Sequence, residues 1–166
     1  MTQITLQGNP VNTNGELPAV GDQAPNFKLV DQDLNDVQLD ALMGRKKIIS
    51  TVPSLDTGAC AKYTKRFNEL ASQHNDIQVL IVSADLPFAQ SRFCGIEKLA
   101  NVQPLSMMRS RNFAKDYGIL LVDGPLAGLI TRSVIAIDEN NTVVYTQLLG
   151  EVSAEPDYQS AFEALS

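Results

Sequence analysis

The sequence is poor in the residues that most often build catalytic or metal centres. Its 166 residues include one histidine, two cysteines and no tryptophan. Two cysteines are too few for a disulfide-stapled scaffold, and one histidine with two distant cysteines argues against a zinc or haem site. The chain also has no C-x-x-C pair, no Gly-rich dinucleotide fingerprint and no P-loop, so we expect neither a metal nor another cofactor.

Long apolar runs and blocks of like charge are missing too. No stretch approaches the roughly 20 apolar residues of a membrane span. The first residues, Met1 to Gly8, have neither the basic nor the apolar part of a signal peptide. We therefore expect a cytoplasmic protein with no membrane partner. A formal charge of −6 further disfavours nucleic acid as a partner.

The residues that are present indicate one folded domain. The chain is 44% hydrophobic and 19% charged, and at this length it can bury a continuous core without staples. We expect a single domain over residues 1–166. Residues 1–13 are predicted to form an N-terminal β-hairpin, because the alternating stretch Ile4 to Val11 is interrupted by the turn-forming Gly8-Asn9-Pro10.

After the hairpin, strand patterns and helix patterns alternate. Strands are predicted at residues 27–30, 37–39, 46–52, 77–83, 133–138 and 142–149. Helices are predicted at residues 60–74, from Pro87 through Cys94, at residues 112–117 and from Pro156 onward. This order is typical of a layered α/β domain in which a mixed central sheet carries helices on both faces.

Cys60 is distinguished by its position at the start of the first long helix. The apolar stripe at positions 60, 63, 64, 67, 70, 71 and 74 places Cys60 on the inward face. Thr57 or Gly58 is the expected N-cap, so Cys60 lies in the first turn. Unpaired backbone N–H groups and the helix dipole favour negative charge there, which lowers the pKa of a thiol. A buried cysteine is otherwise most often a small core residue.

The single histidine limits the chemistry available to Cys60. His74 lies fourteen residues further along the same predicted helix, about 21 Å away at 1.5 Å per residue. Cysteine proteases and transferases need the imidazole within hydrogen-bond reach of the sulfur, so these classes are excluded. A thiolate without a base is suited to a substrate with a weak bond and a good leaving group, such as the O–O bond of a peroxide.

Two segments resemble a known family. The run Pro53-Ser54-Leu55-Asp56-Thr57-Gly58-Ala59-Cys60 resembles the peroxiredoxin signature Pro-x-x-x-Thr-x-x-Cys. Together with the segment from Ser83 to Cys94 it is similar to the bacterial thiol peroxidases, a group of atypical 2-Cys peroxiredoxins. The likeness extends from Gln7 to Tyr158. It implies a thioredoxin-like three-layer fold, with a mixed central sheet flanked by helices and an N-terminal β-hairpin.

The resemblance also assigns roles to five residues. It implies that Cys60 is the peroxidatic cysteine, Cys94 the resolving cysteine, Thr57 the hydroxyl that orients peroxide and thiolate, Pro53 the shield over the sulfur and Arg132 the cation. Taken without the resemblance, Thr57 is equally well explained as a helix cap, Pro53 as the end of a strand and Arg132 as a solvated strand end.

The implied reaction is reduction of hydrogen peroxide and organic hydroperoxides through a Cys60 sulfenic acid. Cys94 then condenses with it to a disulfide that thioredoxin reduces, and the implied assembly is a homodimer. A disulfide needs Cα atoms about 4.4–6.8 Å apart, and sequence separation does not give that distance. We expect the helix near Cys94 to unwind during turnover because Gly95 weakens it, unless Gly95 is only a C-cap.

Two other functions use the same cysteines. A redox-sensing or binding protein would employ the Cys60–Cys94 disulfide as a switch. A general thiol–disulfide oxidoreductase would need C-x-x-C, and Thr57 supplies a hydroxyl where the first thiol of that motif belongs. The general oxidoreductase is thereby disfavoured, and the redox-sensing or binding protein is left open.

Overall fold

The computed structural model describes residues 1–166. The strands are β1 Gln3–Leu6, β2 Asn9–Asn12, β3 Lys28–Val30, β4 Asp36–Gln38, β5 Lys46–Thr51, β6 Ile77–Ser83, β7 Val102–Ser106, β8 Ser133–Ile137 and β9 Val143–Leu148. The helices are α1 Gly58–Ala71, α2 Pro87–Glu97, α3 Asn112–Asp116 and α4 Tyr158–Glu163, with a short 3-10 helix at Leu39–Leu42. None of these helices has both the length and the apolar character needed to cross a membrane.

Seven strands form one sheet in the order β4-β3-β7-β6-β5-β8-β9. The three inner strands β7, β6 and β5 are parallel, whereas β3, β4, β8 and β9 join by antiparallel pairing. Strands β1 and β2 form a separate antiparallel hairpin. The predicted mixed sheet and N-terminal hairpin are confirmed.

Helices cover both faces of the sheet. Side chains alternate across a strand, and the face that includes Ile48 of β5 is covered by Phe67 of α1, Cys94 of α2 and Phe162 of α4. The opposite face is covered by a second core that includes Phe113 of α3. The three-layer α/β arrangement is confirmed, and both cysteines belong to the same core.

The hairpin turn lies earlier than the sequence pattern predicted. Gln7 and Gly8 form the turn, with φ angles of 51° and 82°, while Asn9 and Pro10 belong to β2, where Pro10 pairs with Thr5. A two-residue hairpin turn in which both central residues have positive φ suits Gln7 and Gly8, whereas proline is fixed at a negative φ. The prediction of a turn through Gly8-Asn9-Pro10 was therefore wrong in its register.

Strand β7 was not predicted. It contains Pro104, and a proline argues against an inner strand because it cannot donate to the ladder. The structure accommodates it because β7 pairs with β6 along its length but meets β3 only at Ser106 and Val30. On the side that faces β3, Pro104 is therefore not paired with another strand, and its missing N–H interrupts no hydrogen bonds there.

Candidate active site

Three chain segments meet at the carboxyl end of β5. Strand β5 ends at Thr51 and leads into residues 53–60, and antiparallel β8 begins beside it, directly after Arg132. The Thr51 hydroxyl donates to the carbonyl of Thr131 at 2.8 Å and lies 2.6 Å from the Ser133 hydroxyl. These buried contacts fix the start of α1 and the start of β8 relative to each other.

Arg132 donates a hydrogen bond directly to the sulfur of Cys60. Its Nη2 lies 2.8 Å from Cys60 Sγ, and its Nε donates to the carbonyl of Val152 at 2.8 Å. Both side chains are 1% exposed. The alternative explanation of Arg132 as a solvated strand end is therefore wrong, and two of the five residues to which the resemblance assigns roles are in contact.

The charge of Arg132 has no carboxylate partner. None of the ion pairs in the structure includes it, and its Nη1 is buried with no hydrogen-bond partner. A guanidinium is always charged in proteins. The site therefore pairs the Cys60 sulfur with a permanent cation, and a charged donor makes the stronger kind of hydrogen bond.

Thr57 is the N-cap of α1. Its backbone is extended, with φ −99° and ψ 149°, and its hydroxyl oxygen accepts from the backbone N–H of Cys60 at 3.2 Å. The same hydroxyl donates to the carbonyl of Ser54 at 3.4 Å. The predicted cap is confirmed, and it places Cys60 in the first turn, where the dipole favours negative charge.

The loop between β5 and α1 is held by Asp85, which follows β6. Its carboxylate accepts from the Ser54 hydroxyl at 2.7 Å and from the backbone N–H of Leu55 at 2.8 Å. The hydroxyl of Ser83 donates to the same carboxylate at 2.7 Å, and Pro53 is buried at the head of the loop. No role for Asp85 at the site was predicted, although a carboxylate two residues past the end of a parallel strand is the available signal.

A cavity of about 630 Å³ opens beside this loop, between α1 and α2. Leu55 and Thr57 line it from the loop, and Ala89, Arg92 and Phe93 line it from α2. Because the N-cap residue Thr57 is part of its lining, the cavity reaches the start of α1. Cys60 is buried and is not one of the residues that line the cavity.

Cys94 is separate from Cys60. It lies on α2, is 7% exposed, and is a free thiol that is not near the free thiol of Cys60. Burial raises the pKa of Cys94 to about 11, so at neutral pH it is protonated and a poor nucleophile. Helix α2 runs through Gly95, and Lys98 closes it with a φ of 56°. The alternative that Gly95 is a C-cap is therefore wrong.

His74 lies beyond the end of α1 and belongs to another part of the surface. Its ring stacks on Phe162 of α4 with a centroid distance of 4.6 Å. The sulfur of Cys60 instead lies against Arg132. The interpretation of His74 as a helix-end residue agrees with this position.

Comparisons with known proteins support the peroxiredoxin resemblance. The Redoxin family model matches residues 19–162. The thiol peroxidase of Corynebacterium glutamicum is 48% identical over 166 residues, which is all of both chains. The thiol peroxidase of Mycobacterium bovis is 46% identical over 165 residues, or 99% of each chain. This chain belongs to the Redoxin family.

Solved structures agree with the fold. The peroxiredoxin-like protein from Aquifex aeolicus superposes with a TM-score of 0.92 and 39% identity, covering 99% of this chain and 96% of its own. The thiol peroxidase from Chromobacterium violaceum has a TM-score of 0.90 with 24% identity, covering 97% and 93% of the two chains. The predicted thioredoxin-like peroxiredoxin fold is confirmed.

Proposed function

We propose that this chain is a thiol peroxidase that reduces hydroperoxides with the thiolate of Cys60. The 2.8 Å hydrogen bond from buried Arg132 to Cys60 Sγ carries the proposal, because it couples a nucleophilic sulfur to a permanent cation in a chain whose relatives are thiol peroxidases. We expect both hydrogen peroxide and organic hydroperoxides to be substrates.

The first step transfers one oxygen atom to sulfur. The Cys60 thiolate attacks the nearer peroxide oxygen, a new S–O bond forms, and the O–O bond breaks. The departing alkoxide or hydroxide takes a proton and leaves as alcohol or water, and Cys60 becomes a sulfenic acid. Arg132 stabilises the negative charge, Thr57 presents its hydroxyl to the peroxide, and Pro53 shields the sulfur from bulk water.

The second step uses Cys94. Its thiol sulfur attacks the sulfenic acid sulfur, the S–O bond breaks, water leaves, and a Cys60–Cys94 disulfide forms. The two thiols are apart and Cys94 is protonated in its buried position, so unwinding of α2 must both expose Cys94 and carry it to Cys60. A dithiol reductant then restores the two thiols, and we assign this role to thioredoxin.

Substitution of Gly95 by alanine tests the unwinding step. Gly95 lies inside α2, its φ is not positive, and an added Cβ would meet no atom within 4 Å. Alanine in a helix interior is about 0.5–1 kcal/mol more stable than glycine, so the unwound population should fall about two- to fivefold. We expect disulfide formation in Gly95→Ala to slow by this factor, measured by quenched-flow trapping after one equivalent of peroxide.

Gly150→Ala is the matched control, since Gly150 lies outside α2 and also has free space for a Cβ. It should leave the rate of disulfide formation unchanged. Amide exchange of residues 86–99 should be faster in the oxidised protein than in the reduced one. Equal protection in the two states would contradict unwinding.

Thr57 has two roles that substitutions can separate. Thr57→Val removes the cap and the hydroxyl, so we expect a loss of about 1 kcal/mol of stability and a fall of about 10²-fold in the rate with peroxide. Thr57→Asn keeps a capping oxygen without the hydroxyl, and it should recover stability but not rate. Stopped-flow kinetics and urea unfolding measure the two quantities.

The cap of α4 provides the control for Thr57. Asp157 accepts from the backbone N–H of Ser160, so Asp157→Ala removes the cap of a different helix and should cost stability without slowing the reaction. If Thr57→Asn restored both stability and rate, the hydroxyl would have no catalytic role.

The assembly and compartment are further parts of the proposal. We infer that residues 1–166 act as one domain, as a homodimer in the cytoplasm. Three exposed apolar side chains support a dimer, one at the N-cap of α2 and two on the helix itself. Leu86 is 53% exposed, and Phe88 and Ile96 are each 66% exposed. Exposed apolar side chains on one helix offer surface that a second chain could cover.

Coupled consumption of peroxide by thioredoxin, thioredoxin reductase and NADPH tests the function as a whole. A peroxidase turns over many times, whereas a redox sensor reacts once per chain and then waits for slow reduction. We expect repeated turnover. Oxidation of one equivalent of NADPH, with no continuing reaction, would favour the sensor instead.

A further inference from the structure

The guanidinium of Arg132 has a third contact besides the Cys60 sulfur and the Val152 carbonyl. Its central carbon lies over the ring of Tyr63, 4.9 Å from the ring centroid. The face of an aromatic ring is electron-rich, and it attracts a guanidinium most strongly where water is excluded. Arg132 is 1% exposed and has no carboxylate partner, so the ring of Tyr63 contributes compensation for its buried charge.

The location of Tyr63 follows from the helix. It lies three residues after Cys60 on α1, so the two side chains share a face, and helical side chains lean toward the N-terminus of their helix. Tyr63 is therefore directed back toward the turn that carries the sulfur. Its own hydroxyl donates to the carbonyl of Ser153 at 2.9 Å, which fixes the ring at its outer end.

The three contacts of Arg132 restrain it in different directions. The hydrogen bonds through Nε and Nη2 lie in the plane of the guanidinium, and by themselves they leave tilting out of that plane unrestrained. The face of the Tyr63 ring adds a contact at the central carbon of the guanidinium. Since Nη1 has no hydrogen-bond partner, no other polar contact in the structure limits this tilt.

We propose that Tyr63 is a positioning residue that holds Arg132 in line with the Cys60 sulfur through its ring face. The inference rests on the proposed role of Cys60. Tyr63 does not act on peroxide itself, and its effect passes entirely through Arg132. A Tyr63→Leu variant should therefore react with peroxide about tenfold more slowly, and the pH dependence of its thiolate absorbance should differ from that of the wild type.

The test compares Tyr63→Leu and Tyr63→Phe in two backgrounds. Tyr63→Phe keeps the ring and loses only the bond to Ser153, so it should retain more of the wild-type rate than Tyr63→Leu. In an Arg132→Gln background, Tyr63→Leu should produce no further loss, because the group on which it acts is gone. Tyr145→Leu, which removes a tyrosine packed against the same core, is the control for lost packing.

Two measurements keep the inference separate from the proposed function. Thiolate absorbance against pH needs no peroxide, and single-turnover stopped flow reports the peroxide step alone. An equal fold-loss from Tyr63→Leu with and without Arg132, or a thiolate titration unchanged by Tyr63→Leu, would overturn the positioning role. A wild-type protein that fails to consume peroxide would instead overturn the proposed function.

Discussion

Replacement of Cys60 by serine is expected to abolish turnover of hydroperoxide, with a loss of ~10³-fold or more in kcat/KM. A serine hydroxyl remains protonated at neutral pH, and an alkoxide would not replace the polarisable thiolate that attacks the O–O bond. The fold should persist, because serine is close in size to cysteine and can accept from Arg132. Coupled NADPH oxidation measures the activity, and thermal unfolding confirms the fold.

Cys94→Ser is the matched control for Cys60→Ser. It retains the nucleophile and the Arg132 contact, so it should consume one equivalent of peroxide at the wild-type rate and then stop as a sulfenic acid. Dimedone labelling followed by mass spectrometry would locate the adduct on Cys60. Residual turnover of Cys60→Ser near the wild-type level would contradict the assignment of the nucleophile.

The start of α1 could be predicted because its determinants are local. The cap at Thr57 and the inward direction of Cys60 follow from residues within one or two helical turns, and both appear in the structure. The distance along the helix also indicated that His74 is out of reach of the Cys60 sulfur. Local patterns of this kind identify a reactive cysteine, but they do not identify its distant partners.

Local sequence patterns did not predict that Arg132 and Lys47 are buried. Arg132 contacts a sulfur 72 residues away, and Lys47, within a predicted strand, is fully buried. The Lys47 ammonium donates to the carbonyl of Leu42 at 3.2 Å and to the side-chain oxygen of Asn141. A charged residue is normally assigned to the surface, and only the folded arrangement supplies the acceptors that permit its burial.

The N-terminal hairpin also has a structural role that its sequence did not indicate. The carbonyl of Thr5 accepts from the backbone N–H of Val152 at 2.9 Å, and its hydroxyl donates to Glu151 at 3.0 Å. Val152 and Ser153 in turn accept from Arg132 and Tyr63. The hairpin thus anchors the loop whose carbonyls orient the cation beside Cys60.

Substitution of Arg132 by glutamine is expected to lower the rate with peroxide by about 10²–10³-fold, the usual cost of losing a donor aimed at developing charge. Glutamine removes the positive charge beside Cys60 and cannot replace both the Nε bond to Val152 and the Nη2 bond to the sulfur. The pH dependence of the reaction rate should also change. Stopped-flow kinetics at several pH values would separate loss of thiolate from slower attack.

Arg132→Lys distinguishes charge from geometry. An ammonium keeps the positive charge, but it has no planar fork with which to bond Val152 and the Cys60 sulfur together. We therefore expect a rate between those of the wild type and Arg132→Gln. The control is Arg109→Gln, since Arg109 is 45% exposed and pairs with Asp36. If Arg132→Gln reacted as fast as this control, the buried hydrogen bond to Cys60 would not be the source of its reactivity.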